Sequence, residues 1–188
     1  MKKVTVYWSE ITEAFELSTT GADYYLDTES GRTLLVMEDS QDHLNKVYRE
    51  YYDPDNPDSF DIEAALAKSD LQDWEKTMVA EAHIVEQHFG SRVILIPDLS
   101  SHESYVEMEN FIRTMKNGRL QDRLWNAIQK RKPFSQFRHV IQQNPDDLQR
   151  WYDYKDEQMK KRMLAWLEDI ENVEIELDYG TVPLKNTD

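Results

Sequence analysis

The chain has 188 residues, 22 Lys/Arg against 37 Asp/Glu, and a net charge of −15, a balance that repels nucleic acid and anionic membranes at long range. No Cys is present, so disulfides, thiolate metal sites and Cys nucleophiles are excluded, and five Gly disfavour an all-β barrel. A 39% hydrophobic share with five Trp and ten Tyr is enough for a packed core, and the length predicts one domain over residues 1–188.

In chain order, residues 3–7 alternate weakly and predict a short strand. The stretch Met1 to Glu10 lacks the apolar segment of a signal peptide. Ser9 is placed as the cap of a helix with Ile11, Ala14, Phe15 and Ser18 on one face, and Gly21 as its stop. Asp23–Asp27 and Arg32–Met37 predict a hairpin around Thr28-Glu29-Ser30-Gly31, where Gly supplies a positive φ. Ser40 is placed as the cap of a helix whose stripe Leu44, Val47, Tyr48 and Tyr51 has the i, i+3, i+4, i+7 spacing of one buried face. Two Pro and three Asp between Asp53 and Ser59 predict an exposed loop.

Helical patterning resumes at Ile62, Ala65 and Leu66, then runs through Trp74, Met78, Ala82, Val85 and Phe89 to Gly90. The apolar run Arg92–Pro97 predicts a buried strand. Ser100 and Glu103 form a capping box ahead of a helix burying Tyr105, Met108, Ile112 and Met115, which stops at Asn117-Gly118. A helix with Leu120, Leu124, Ala127 and Ile128 follows, with Pro133 as its end. A short one carries Phe134, Phe137 and Ile141 inward. Asn144-Pro145-Asp146 opens the longest helix, with Leu148, Tyr152, Met159, Met163, Trp166 and Ile170. Val173, Ile175, Leu177 and Tyr179 alternate with acids in a last, half-buried strand. The expected fold class is α+β: one helix-rich domain with a small N-terminal β-hairpin, about five short strands and six to eight helices.

Several of these pieces together resemble a bacterial family known only as uncharacterised protein family 0158. The resemblance rests on the early helix, the Tyr25-Leu26-Asp27 to Gly31 hairpin, the acidic loop and Glu109-Asn110-Phe111-Ile112. It continues through the block Phe134-Ser135-Gln136-Phe137-Arg138, Trp151-Tyr152 and Trp166-Leu167. In that family the residues between the two Phe are often basic, where this chain has Ser135-Gln136. The resemblance implies a fold and supplies no activity.

Charge layout is the main functional clue. From Arg113 to Arg138 there are eight Lys/Arg and one acid, Asp122, so this segment is +7 and the other 162 residues are −22. Arg119, Arg123, Arg131, Lys132 and Arg138 are the candidate residues for binding an anion or a partner. Cations beside aromatics can clamp phosphates and stack bases. The plainer explanation is internal: cations near helix C-termini offset the macrodipole, and exposed ion pairs are worth under about 1 kcal/mol each.

Other motifs are weaker. His83 and His88 lie five apart, about 140° around a helix, so a shared metal is disfavoured and both are expected to be solvated. Ser100-Ser101-His102-Glu103 is explained by capping, and no Gly-x-Ser-x-Gly elbow or phosphate loop occurs. Between Glu38 and Glu75 there are twelve acids and three bases, a surface that could mimic a duplex.

The sequence thus predicts a non-enzymatic intracellular binding or regulatory module. The alternative is a nucleic-acid-contacting protein using Arg113–Arg138, and the third choice a hydrolase or metal enzyme. A protein partner, no cofactor, no membrane association and a cytoplasmic, bacterial setting are expected, with oligomeric state open.

Overall fold

The computed structural model describes residues 2–17, 22–116 and 118–180. Ser18 and Gly21 of the first predicted helix, and the Asn117 stop, lie outside them. The fold is α+β and helix-rich. The order is β1 (Lys2–Tyr7), α1 (Trp8–Leu17), β2 (Ala22–Asp27), β3 (Thr33–Met37), α2 (Glu38–Tyr51), α3 (Ile62–Lys68), α4 (Asp73–His88) and β4 (Val93–Leu95). Then come α5 (Ser101–Thr114), α6 (Arg119–Ile128), α7 (Pro133–Ile141), α8 (Pro145–Glu168) and β5 (Val173–Asp178). Among the described residues no helix is long and apolar enough to cross a membrane. The chain divides into two compact units, residues 99–166 and the remainder.

The larger unit holds both sheets. β1 pairs in parallel with β5, from Lys2 opposite Val173 to Tyr7 opposite Asp178. β2 is central in an antiparallel sheet ordered β3-β2-β4. The predicted hairpin is present, and its turn is held by contacts beyond the turn itself. Gly31 has φ +75°, and a Cβ there would fall 1.8 Å from the Thr5 carbonyl oxygen of β1. Only a residue without a side chain fits both the backbone and the space.

Asp27, 2% exposed, is the anchor of that turn. Arg92 Nε and Nη2 donate to its two carboxylate oxygens at 2.7 Å each, Ser30 Oγ donates at 2.7 Å and the Glu29 amide at 2.9 Å. Burial pushes the Asp27 carboxyl up; the hydrogen bonds from Arg92, Ser30 and Glu29, with the Arg92 charge, outweigh it and hold the group at about 2. Thr28 completes the lock, its hydroxyl donating to the Arg92 carbonyl at 2.7 Å. Elsewhere in this unit α2, α3 and α4 bury Leu44, Val47, Leu66, Val79 and Ala82 in one cluster.

Several local expectations need correction. α1 begins at Trp8, directly after β1, so Ser9 sits inside its first turn. Ser40 is the third residue of α2, and its hydroxyl reaches back to Met37, accepting from the amide at 2.8 Å and donating to the carbonyl at 2.7 Å. The acidic loop is exposed throughout and contains one 3-10 turn, Pro57–Ser59. The inward stripe of α4 is Val79, Ala82 and Val85, and Trp74, five residues before Val79 and thus about 140° away, is 59% exposed.

The Leu99–Trp166 unit contains α5, α6, α7 and most of α8. Ser100 and Glu103 form the predicted capping box: Ser100 Oγ accepts from the Glu103 amide at 3.2 Å and the Ser100 amide donates to Glu103 Oε2 at 2.9 Å. The core is Met108, Phe111, Ile112, Leu124, Ile128, Phe137 and Ile141. Phe137 lies where the sequence places it, edge-on to Trp151 with ring centroids 4.9 Å apart, and Phe111 meets Trp151 at 5.1 Å. Pro133 opens α7 as its first residue, where a missing N–H costs nothing; α6 has already ended at Ile128. Lys132 leaves the right-handed helical region as the following Pro demands, but at φ 60°, in the left-handed one.

Candidate functional site

The Phe134–Arg138 block and Trp151-Tyr152 come together in a cleft of about 590 Å³ between α5, α7 and α8. Helical spacing explains its lining. Phe137 and Ile141, four apart on α7, point into the core and form the floor, with Phe134 one turn earlier at the rim. On α8, Trp151 enters the core while Tyr152, 100° further round, stands at the opposite rim beside Lys155. Phe134 is 42% and Tyr152 50% exposed. Both were expected in the core; each belongs to a stripe whose neighbouring turn supplies the buried ring.

Two cations line the cleft, Arg138 and Lys155. Its one acid, Glu107, is buried and paired with Arg162 on α8. Truncating Arg162 would leave the buried Glu107 carboxylate without its partner, so Glu107 belongs to the scaffold. The net positive charge is therefore carried by groups that face solvent.

The other candidate cations are arranged along one helix hairpin. Arg119 is the first residue of α6 and Arg123 follows one turn later, donating to Gln143 Oε1. Arg131 and Lys132 lie in the α6–α7 connection, past the end of α6 opposite to Arg119. The five residues are distributed over α6, the α6–α7 connection and α7. Among the described residues none of Arg119, Arg123, Arg131, Lys132 and Arg138 makes an ion pair. Arg113 is the exception in the basic segment, pairing with Glu109 at 3.4 Å and lying over Trp125 at 5.6 Å. Arg119 and Lys132 also sit at the N-terminal ends of α6 and α7, where a cation opposes the helix dipole. Local stability does not account for those two charges.

Charge divides with the units. Leu99–Trp166 holds 13 Lys/Arg and 9 Asp/Glu, net +4; the remainder holds 9 and 28, net −19. His83 is not solvated as expected: it is half-buried, and its Nδ1 shares a 2.8 Å hydrogen bond with the Tyr48 hydroxyl. Burial lowers its pKa, against the opposing charge of Glu86, so the ring is neutral near pH 7. Among the described residues no group of three His, Asp or Glu is placed to hold a metal ion. Sequence reasoning also missed Asp27, Glu107 and the Tyr48–His83 pair, whose partners lie 35 to 65 residues away.

No solved structure matches the chain significantly. UPF0158 protein PA5073 of Pseudomonas aeruginosa is 30% identical over 169 residues, 90% of this chain and 85% of that protein. The model of Uncharacterised protein family (UPF0158) matches residues 62–184. That match begins after the hairpin and takes in α5 to α8, with both halves of the aromatic cleft. With that match and a relative covered over 85% of its length in agreement, the chain belongs to the uncharacterised protein family UPF0158.

Proposed function

We propose that the protein is a non-enzymatic binding module whose Leu99–Trp166 unit receives an acidic segment of a partner protein carrying a large apolar side chain. The observation that supports this reading is the pairing of exposed Phe134 and Tyr152 with Arg138 and Lys155 around one cleft. Aromatic rings at a rim supply contact area with few rotors to freeze, and unpaired cations steer an acidic partner and set its orientation. The floor of Phe137, Ile141 and Trp151 is firm, so the cleft is formed before any partner arrives.

Selection from a random peptide library on the intact protein tests this. Enriched peptides should carry acids flanking an aromatic or Leu. Phe134→Ala and Tyr152→Ala should each weaken them about tenfold, and Arg138→Glu more. Peptides that bind these variants as well as the parent, or a selection without enrichment, would remove the cleft from consideration.

A second reading has its own support in Arg119, Arg123, Arg131, Lys132 and Arg138, none of which makes an ion pair among the described residues. If it contacts single-stranded RNA, affinity should fall with a log–log salt slope of roughly −0.7 per phosphate neutralised, and Arg119→Gln with Arg123→Gln should flatten that slope. Absence of binding at low salt would leave the protein-binding reading alone.

A further inference from the structure

A second cleft, of about 550 Å³, lies wholly within the acidic unit. Its wall is made of rings. Tyr48 and Tyr52 stand one helical turn apart at the end of α2, Phe60 follows the 3-10 turn, and His83 comes from α4. The centroid of Phe60 is 5.3 Å from Tyr48, 5.7 Å from Tyr52 and 5.9 Å from His83, with interplanar angles near 60°. Tyr52 is 42% exposed, so part of this ring surface faces solvent.

Asp58 and Glu86 line the same cleft. Among the described residues neither makes an ion pair, and no Lys or Arg lines the cleft. Glu86 takes only a 3.4 Å contact from Gln41. The wall is fixed rather than fluid, since the Tyr48 hydroxyl is held by His83 Nδ1. The neutral imidazole adds no positive charge to repel a cation.

Ring faces carry negative electrostatic potential, and two carboxylates that make no ion pair among the described residues add to it inside a unit of net charge −19. The complement is a cation with a flat face. An ammonium is a compact, strongly hydrated point charge. A guanidinium is planar, weakly hydrated and offers donors in a fork that suits carboxylates while its face stacks on a ring.

We propose that this cleft binds the guanidinium group of an arginine, stacked against Tyr52 and Phe60 and hydrogen-bonded to Asp58 and Glu86. The site is independent of the aromatic cleft in the Leu99–Trp166 unit and shares no residue with it. The guanidinium comes either from a free arginine derivative or from an arginine side chain of a partner protein.

Amide NMR titration of the full chain tests the assignment with four probes: N-acetyl-arginine amide, N-acetyl-lysine amide, tetramethylammonium chloride and a short arginine-containing peptide. The arginine derivative should give saturable shifts at Tyr52, Phe60, Glu86 and Gln87, and bind at least about fivefold tighter than the lysine derivative. Tyr52→Leu should weaken it about threefold, and Asp58→Asn with Glu86→Gln about tenfold. These three positions are exposed, and unchanged spectra elsewhere will show that the variants fold. A peptide that binds tighter than the arginine derivative identifies a partner's side chain as the source; equal affinity identifies a free ligand. Shifts that stay linear with concentration would overturn the proposal. So would full affinity in the double variant, or a preference for lysine or tetramethylammonium.

Discussion

The Leu99–Trp166 unit and the remainder of the chain solve the problem of cohesion differently. The smaller unit is net +4 and is held by rings: Phe111, Phe137, Trp151 and Tyr154 pack against one another among four helices joined by three short connections. The larger unit is net −19, and its hairpin is held by a close backbone approach and the ion pair of buried Asp27 with half-buried Arg92 as much as by apolar packing. A unit with strong excess charge gains from fixing one carboxylate firmly, because every further acid raises the cost of compactness. The consequence is that the two units should fail under different insults.

The largest effect should come from the tightest approach. Gly31→Val adds a branched side chain at φ +75° and drives its Cβ into the Thr5 carbonyl, so the loss should exceed about 5 kcal/mol, read by urea denaturation. A loss below about 2 kcal/mol would mean β1 and the hairpin separate freely.

Next is Phe137→Ala, which empties the ring cluster of the smaller unit and should cost ~3–5 kcal/mol. Near-UV circular dichroism should fall with it, as Trp151 loses its edge-on neighbour. An unchanged near-UV signal would show that the rings are not packed as described.

The third test separates the units by pH. Asp27 is held at about 2 in the folded state against an ordinary value near 3.8, so its contribution is fully present above pH ~4 and is lost as pH falls through about 2. The amount is roughly 2.5 kcal/mol. Stability measured from pH 5 to pH 2 should decline, and Asp27→Asn should be less stable at pH 6 but show a shallower acid decline. Parallel slopes in the two proteins would assign the acid sensitivity to other carboxylates.

The smallest effect is at the start of α5. Ser100→Ala removes the hydroxyl that accepts from the Glu103 amide and should cost ~1 kcal/mol. Ser100→Asp should recover most of it.

The sequence discloses local structure well where one residue type has one use. Gly31 marks the turn, the strict alternation from Val173 onward marks β5, and Ser100 with Glu103 marks the entry to α5. The block Phe134–Arg138 was legible as part of the family resemblance, and Phe137 took its expected place in the core. The orientation of Phe134 and Tyr152 was not legible: a stripe of apolar residues tells which face turns inward, but the edge of that stripe depends on how wide the neighbouring helices are. Trp74 was misread for the same reason. Asp27 carried no signal of its own, because an acid before a Thr-Glu-Ser-Gly turn looks like any solvated turn residue until Arg92 is brought 65 positions back to meet it. The parallel pairing of β1 with β5 is a relation between distant segments, and no local period encodes it.

That pairing gives the chain an order of assembly. β1 is synthesised first, and its ladder partner begins 171 residues later, at Val173 opposite Lys2. At the usual pace of translation, about 5–20 residues per second, the interval is roughly ten to thirty seconds. Throughout it the first strand has no neighbour in its sheet. The ring-packed unit is continuous from Leu99 to Trp166 and leaves the ribosome before the last strand exists. The two-stranded sheet of the acidic unit can therefore close only once β5 has been made, whereas its β3-β2-β4 sheet draws on segments that all precede that insertion.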